Sequence, residues 1–193
     1  MTQYLRPPII LLREGTDKSQ GLGQLISNIN ACHAIGEILA STLGPRGMDK
    51  LIHNGDKRAI VTNDGATVMN ELDIVHPAAS LLVEVAKSQD EEIGDGTTSV
   101  VVLSCSLLDS IKSYLEDNVH PQFICRCFRT ALNLSVKKLN EIAETINGDE
   151  RATLEKCAAT TLRSKLVSDY REFFAKIIVD AVENLDDNLR LED

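Results

Sequence analysis

The sequence lacks both a long apolar run and a cluster of basic residues. A helix that crosses a bilayer takes about 20 consecutive apolar residues, and no apolar stretch of this chain approaches that length. The N-terminus carries no signal-peptide pattern. The formal net charge is −9 at pH 7, and no Lys/Arg run is long enough to track a nucleic acid. These absences predict a cytoplasmic protein with neither a membrane nor a nucleic-acid partner.

The chain also lacks the Cys and His spacings of a disulfide framework or a metal site. Its five cysteines are an odd number, which argues against a closed set of disulfides. Cys125 and Cys127 point about 200° apart on a helix, so they cannot hold one ion together. The four histidines share no zinc-ligand spacing. We therefore predict reduced thiols that are mostly buried.

Helical periodicity dominates what is present, and 43% hydrophobic residues are enough for a sizeable core. Apolar residues three and four apart predict helices over residues 21–42, 77–88, 97–114, 121–145 and 153–162, and a last helix capped by Ser168. Residues 97–114 are apolar nearly all round, which predicts a buried central helix. The acidic residues 90–92 are expected in a loop. The pattern favours a mainly α protein.

Short β elements and a domain boundary complete the expected organisation. Residues 7–13 predict a strand, and Asn54-Gly55 between two apolar runs predicts a β-hairpin. Asn147-Gly148-Asp149 breaks the helical pattern, which divides the chain into residues 1–148 and 149–193. The last residues give no stop signal, so a longer protein is expected.

A glycine-rich loop before the apolar helix is the first candidate for chemistry. It reads Gly94-Asp95-Gly96-Thr97-Thr98-Ser99. Free N–H groups and hydroxyls at a helix N-terminus suit phosphate oxygens, and the Asp95 carboxylate suits Mg²⁺. The alternative is that Asp95 merely caps the helix. The loop has no Lys and does not match a P-loop.

Two further loops carry candidate groups. Residues 42–47 form a glycine turn after a helix C-terminus, where backbone groups could contact a nucleotide; the alternative is a plain helix stop. Asp64, in Asn63-Asp64-Gly65, is expected at a loop tip where it could orient or deprotonate a water. The alternative there is an ordinary Asp-Gly turn.

In this order and spacing the three loops resemble those of the group II chaperonins, the cytosolic ring complex of eukaryotes and its archaeal relatives. They read TLGPRGMDK, TNDGAT and GDGTTS. The segments LLREGTD, LDIVHPAA, AKSQD and FFAKIIVDAV further resemble one subunit type of the eukaryotic complex. The resemblance implies part of an α-helical equatorial ATP-binding domain with a small hairpin over residues 1–148. Residues 149–193 would begin an α/β intermediate domain.

The resemblance also implies a site for ATP or ADP with Mg²⁺. Asp95 would hold the Mg²⁺, Asp64 would serve catalysis, and Lys165 would sense the γ-phosphate. The residues expected to bind nucleotide are Leu43, Gly44, Pro45, Gly96, Thr97, Thr98, Ser99, Ser164 and Lys165. Arg163 departs from the family, whose members usually carry a small polar residue there, so a phosphate contact or a partial block is expected at this position.

The implied function is that of an ATP-dependent chaperone subunit. Its partners would be other chaperonin subunits in a hetero-oligomeric double ring, and unfolded client proteins such as actin and tubulin. The alternative is a ring-structural subunit with weak or no ATP turnover. A second catalytic carboxylate and the client-binding surface would lie outside this chain, so the chain alone is expected to be an incomplete ATPase.

Overall fold

The computed structural model describes residues 20–53, 59–143 and 150–184. In chain order the elements are α1 (Leu22–Ala40), β1 (Lys50–Ile52), β2 (Ile60–Thr62), α2 (Gly65–Glu71), α3 (Pro77–Ile93), α4 (Thr97–Glu116), α5 (Pro121–Ile142), α6 (Glu150–Thr161) and α7 (Arg171–Glu183). Two 3₁₀ turns, Leu162–Ser164 and Ser168–Tyr170, join α6 to α7. The mainly α class is confirmed. The expected strand at 7–13, the turn at Asn54-Gly55 and the boundary at 147–149 lie outside the described residues.

The main core lies where α1, α3 and α4 meet, with α2 against α3 and α4. Its most deeply buried large side chains are Leu39, Val68, Met69 and Val101. Gly36 allows α1 and α4 to approach closely, because a Cβ there would lie 2.7 Å from the Cβ of Cys105. The Cys105 thiol donates to the Cys32 carbonyl at 3.1 Å, and burial raises the pKa of Cys105 to about 11. This thiol is therefore a core group.

The predicted helix starts at residues 77 and 121 are confirmed. Pro77 and Pro121 occupy the first turns of α3 and α5, where a missing N–H costs nothing. The preceding His76 and His120 cap these helices by accepting from backbone N–H groups at 3.2 Å. Both histidines therefore have a structural role as helix caps.

Two expectations about local structure are wrong, and one helix is not anticipated. The acidic residues 90–92 belong to α3, which ends at Gly94, whose φ of 76° and N–H bond to the Gln89 carbonyl close the last turn. Ser168 caps no helix; it begins a 3₁₀ turn. The helix α2 is not anticipated, because seven residues are too few to show a clear period.

Burial also departs from expectation in α4 and α5. Only one face of α4 is covered in the described part of the chain, and Leu103 on another face remains 61% exposed. In α5, Ile124 packs with Ile29 and Leu115 in a second small cluster, while the rest of the helix is largely exposed. The prediction that most thiols are buried is wrong. Cys32 and Cys105 are buried, whereas Cys125, Cys127 and Cys157 are exposed.

The remaining elements are the hairpin and the pair formed by α6 and α7. The strands β1 and β2 are antiparallel, with Leu51 opposite Val61, as predicted. The α6 and α7 helices pack together, and Arg151 joins them through Asp180 and Glu183. Within residues 20–53, 59–143 and 150–184, no helix has the length and apolarity needed to cross a membrane.

Candidate functional site

The N-terminus of α4 is left open to a ligand. Gly96, with a φ of 78°, precedes the helix and makes no side-chain cap, whereas Asp64 caps α2. The first N–H groups of a helix have no partner within it, so those of Thr97, Thr98 and Ser99 are available to an anion. Among residues 20–53, 59–143 and 150–184, the Asp95 carboxylate accepts only from the adjacent Gly96 N–H, at 2.7 Å. The alternative reading of Asp95 as the helix cap is therefore wrong.

A second helix N-terminus lies beside the first. Asp64 is the N-cap of α2, and its Oδ2 accepts from the Thr67 backbone N–H at 2.9 Å and from the Thr67 hydroxyl at 2.7 Å. The expected loop tip is thus a helix start, and the carboxylate is held in one orientation. In the part of the chain that the structure describes, Oδ1 makes no hydrogen bond and can take a further partner. Asp64 combines a structural role with an available acceptor.

Gly65 sets the distance between the two helix starts. A Cβ on Gly65 would lie 2.5 Å from the Thr98 hydroxyl and 2.8 Å from the Thr98 backbone nitrogen. Any larger residue would force α2 and α4 apart. The close approach brings the Asp64 carboxylate and the open end of α4 to the same space.

The turn after α1 forms a third wall. Gly44 has a φ of 79°, a conformation that glycine adopts readily. The turn is closed by bonds from the Gly47 N–H to the Gly44 carbonyl at 2.9 Å and from the Met48 N–H to the Ser41 carbonyl at 2.8 Å. These bonds hold residues 42–45 as a formed edge of the cleft.

The fourth wall comes from the segment after α6. The buried Asn63 donates from Nδ2 to the Ser164 carbonyl at 2.6 Å, and its Oδ1 accepts from the Lys165 ammonium at 2.9 Å. This segment therefore contacts the other walls directly, across more than 100 positions of sequence. Arg163 is exposed and does not line the cleft, so it does not block it. A contact between Arg163 and phosphate stays a prediction.

The four walls enclose an open cleft with a cavity volume of about 220 Å³. Every site residue expected from the sequence lines it: Leu43, Gly44, Pro45, Asp64, Asp95, Gly96, Thr97, Thr98, Ser99, Ser164 and Lys165. The cleft thus brings together two helix N-termini, two carboxylates, several hydroxyls and one ammonium.

Comparison with known proteins identifies the family of the chain. Residues 35–193 match the model of the TCP-1/cpn60 chaperonin family. The chain belongs to this chaperonin family. It is 56% identical over 193 residues to T-complex protein 1 subunit eta of Dictyostelium discoideum, which covers all of this chain and 35% of that protein. It is 56% identical to the human eta subunit, over 96% of this chain and 35% of that protein.

A more distant relative gives the same result. T-complex protein 1 subunit eta of Saccharomyces cerevisiae is 48% identical over 94% of this chain and 34% of its own length. The chaperonin chain therefore spans about a third of the length of the curated relatives it matches. The resemblance to one subunit type, seen in the segments around residues 11–17 and 72–79, is confirmed as resemblance to the eta type.

Several lining residues of the chaperonin cleft are not predicted from the sequence. They are Asn63, Gly65, Thr160 and Thr161, together with Thr42, which lies in the candidate turn 42–47 but is not itself among the expected binding residues. Asn63 and Gly65 flank Asp64 within a motif that was singled out, so adjacency could have suggested them. Thr160 and Thr161 are hydroxyl residues in the last turn of α6, and no local pattern relates them to a site about 60 positions earlier.

Proposed function

We propose that the chain binds Mg-ATP in this cleft and hydrolyses it to ADP as a subunit of a cytoplasmic chaperonin. The observation that carries the proposal is the uncapped N-terminus of α4, which meets the Asp64 carboxylate and the Lys165 ammonium in one cleft. Backbone N–H groups, hydroxyls and an ammonium are the donors that a phosphate chain requires. A helix start without a side-chain cap leaves these donors available.

The carboxylates of the cleft fit Mg²⁺ held jointly with phosphates. In the described part of the chain no three His, Cys, Asp or Glu side chains converge as a metal cage. Mg²⁺ usually takes one or two carboxylates, substrate phosphates and waters, and exposed Asp95 has one oxygen not engaged by Gly96. When bound, Mg²⁺ neutralises phosphate charge.

Asp64 is the proposed catalytic group. Its Oδ2 is bonded to Thr67, and its Oδ1 can accept the proton of an attacking water. The orientation imposed by the two Thr67 bonds means that little rearrangement is needed before this step. Lys165, held on the opposite wall, supplies positive charge toward the terminal phosphate.

The assembly and its clients belong to the same proposal. The chain would join other chaperonin subunits in a hetero-oligomeric double ring, in which ATP hydrolysis drives closure around unfolded proteins such as actin and tubulin. Large apolar side chains that remain exposed on α4 and α5 suit burial against further protein. They include Leu103, Leu107, Leu132, Leu134 and Leu139.

A photolabelling experiment on the native assembly, purified through a tag on this chain, tests the proposal. A photoreactive azido-ATP is radiolabelled at either the α- or the γ-phosphate, crosslinked at successive times, and counted on this chain alone. Asp64→Asn is the sharp variant, because Asn also caps helices but cannot serve as the base. Asp95→Asn tests the metal site.

We expect the unsubstituted chain to retain the α label while the γ label decays. In Asp64→Asn the γ label should persist with a decay at least about 100-fold slower, the usual contribution of a general base. Asp95→Asn should lose Mg²⁺-dependent labelling of both kinds. A γ label that decays equally fast in Asp64→Asn would exclude Asp64 as the base. A γ label that persists on the unsubstituted chain would favour the ring-structural alternative.

A further inference from the structure

Asn63 is a buried amide that joins two walls of the cleft. Its residue is 7% exposed and directly follows β2. The Nδ2 group donates to the Ser164 carbonyl at 2.6 Å while Oδ1 accepts from the Lys165 ammonium at 2.9 Å. Both polar atoms of one short side chain are thus used on consecutive residues of the opposite wall.

The two bonds fix both the backbone and the side chain at the Lys165 position. A lysine side chain has about 2 kcal/mol of rotamer entropy to lose when it is ordered, so an unsupported ammonium would sample many positions. Asn63 precedes Asp64 in the chain, and Asn63, Asp64 and Lys165 all line the same cleft. The expected position of the ammonium is the terminal-phosphate end of the cleft.

The acceptor of the Lys165 ammonium is the neutral Asn63 amide, which leaves the positive charge in place, whereas a carboxylate would neutralise it. Among the described residues no Asp or Glu forms an ion pair with Lys165, and the Asp64 Oδ2 is already bonded to Thr67. The amide orients the ammonium without neutralising its charge. Two of its three protons remain for an anion.

We propose that Asn63 is a positioning residue that makes this site select a nucleoside triphosphate over a diphosphate by holding Lys165 at the terminal phosphate. The inference rests on the proposed function. It assigns the selectivity to a bond between residues 63 and 165, and it predicts that removing either partner has the same effect.

The test measures the affinities of azido-ATP and azido-ADP for this chain in the native assembly. Four variants are compared: Asn63→Ala, Lys165→Ala, their double substitution, and Asn63→Asp. Asn30→Ala is the matched control, because the exposed Asn30 Oδ1 accepts from Lys112 Nζ at 3.0 Å, a bond of the same type outside the cleft.

The ratio of ATP to ADP affinity should fall about tenfold in Asn63→Ala, the size of one hydrogen bond to a charged group. Lys165→Ala should lower the ratio by a similar factor. The ratio in the double variant should be no lower than the ratio in Lys165→Ala. Asn63→Asp should also lower the ratio, because the new carboxylate would neutralise the ammonium. Asn30→Ala should leave it unchanged.

Different results would overturn the positioning role of Asn63 and the proposed binding of ATP. Three results would overturn the positioning role. The first is intact labelling with an unchanged ratio of ATP to ADP affinity in Asn63→Ala, and the second is a loss of this ratio in the double variant that equals the sum of the two single losses. The third is an undiminished ratio in Asn63→Asp. An equal loss of ATP and ADP labelling in Asn63→Ala would mean that the residue only supports the fold, which also overturns it. No labelling of the unsubstituted chain would overturn the proposed function itself.

Discussion

Adding one methyl group at Gly65 should open the cleft and weaken phosphate binding. The Ala Cβ would lie 2.5 Å from the Thr98 hydroxyl and 2.8 Å from the Thr98 nitrogen. The hydroxyl can rotate away, but the nitrogen is part of the α4 backbone and cannot. Reaching ordinary contact, about 3.5 Å for such atoms, requires the starts of α2 and α4 to separate by roughly 0.7 Å.

This separation has a calculable cost. Forcing an extra carbon into a packed site destabilises by about 1–3 kcal/mol, and Gly65 stands at the helix start, where replacement by Ala offers little compensating propensity. The N–H groups of α4 would also move relative to Asp64. Because hydrogen bonds weaken steeply beyond about 3.2 Å, a loss of one or two phosphate bonds should lower nucleotide affinity by about tenfold to 100-fold.

Two other glycines supply controls. At Gly36 a Cβ would lie 2.7 Å from the Cys105 Cβ, a clash in the core that involves no cleft residue. At Gly23, in α1, a Cβ meets no atom of the described residues within 4 Å, so Gly23→Ala should stabilise by up to about 1 kcal/mol. Gly36→Ala should destabilise by about 1 kcal/mol after its gain in helix propensity is subtracted.

The measurements are hydrogen exchange of peptides from α1, α2 and α4, and azido-ATP labelling of the chain in its native assembly. Gly65→Ala should speed exchange in α2 and the start of α4 and reduce labelling. Gly36→Ala should speed exchange in α1 and α4 while labelling persists. Normal labelling and exchange in Gly65→Ala would refute the reasoning, since the clash with backbone could then be relieved at no cost.

Two further predictions concern groups outside the catalytic step. The Ser41 hydroxyl is buried without a hydrogen-bond partner in the described residues, whereas the buried Thr42 hydroxyl donates to the Leu39 carbonyl at 2.8 Å. Ser41→Ala should therefore leave the free energy of unfolding unchanged or raise it, and Thr42→Val should lower it by about 1 kcal/mol. The urea midpoint of this chain measures both effects. Asp109, bonded to His33 at 2.6 Å, raises the pKa of His33 above its ordinary value. The stability that a raised pKa provides is fully present below the pKa of His33 in the unfolded chain, and it is lost as the pH rises through the pKa of His33 in the folded chain. His33→Gln should therefore lower the urea midpoint more at about pH 5.5 than at about pH 8.5. Equal effects at both pH values, or a Ser41→Ala loss as large as that of Thr42→Val, would contradict these expectations.

Local patterns predicted the helices well and their ends less well. Pro77 and Pro121 indicate helix starts because a proline ring suits the first turn. The three- and four-residue spacing of apolar residues in α1 indicates the helix face that packs against the core. The end of α3 was placed too early, because the acidic run at 90–92 was read as a loop although Gly94 provides the stop. The spacing of α4 could not tell which of its apolar faces the described chain covers.

The sequence by itself determined the family, the helical class and the loops that line the cleft, because each of these depends on short motifs or on periodicity within one element. Only the tertiary structure decided that Asp64 caps a helix, that Gly65 sets the spacing of two helix starts, and that Asn63 bonds to Lys165. These facts depend on which backbones approach each other through space. A contact across about 100 residues leaves no local periodicity, so no reading of neighbouring positions could have revealed it.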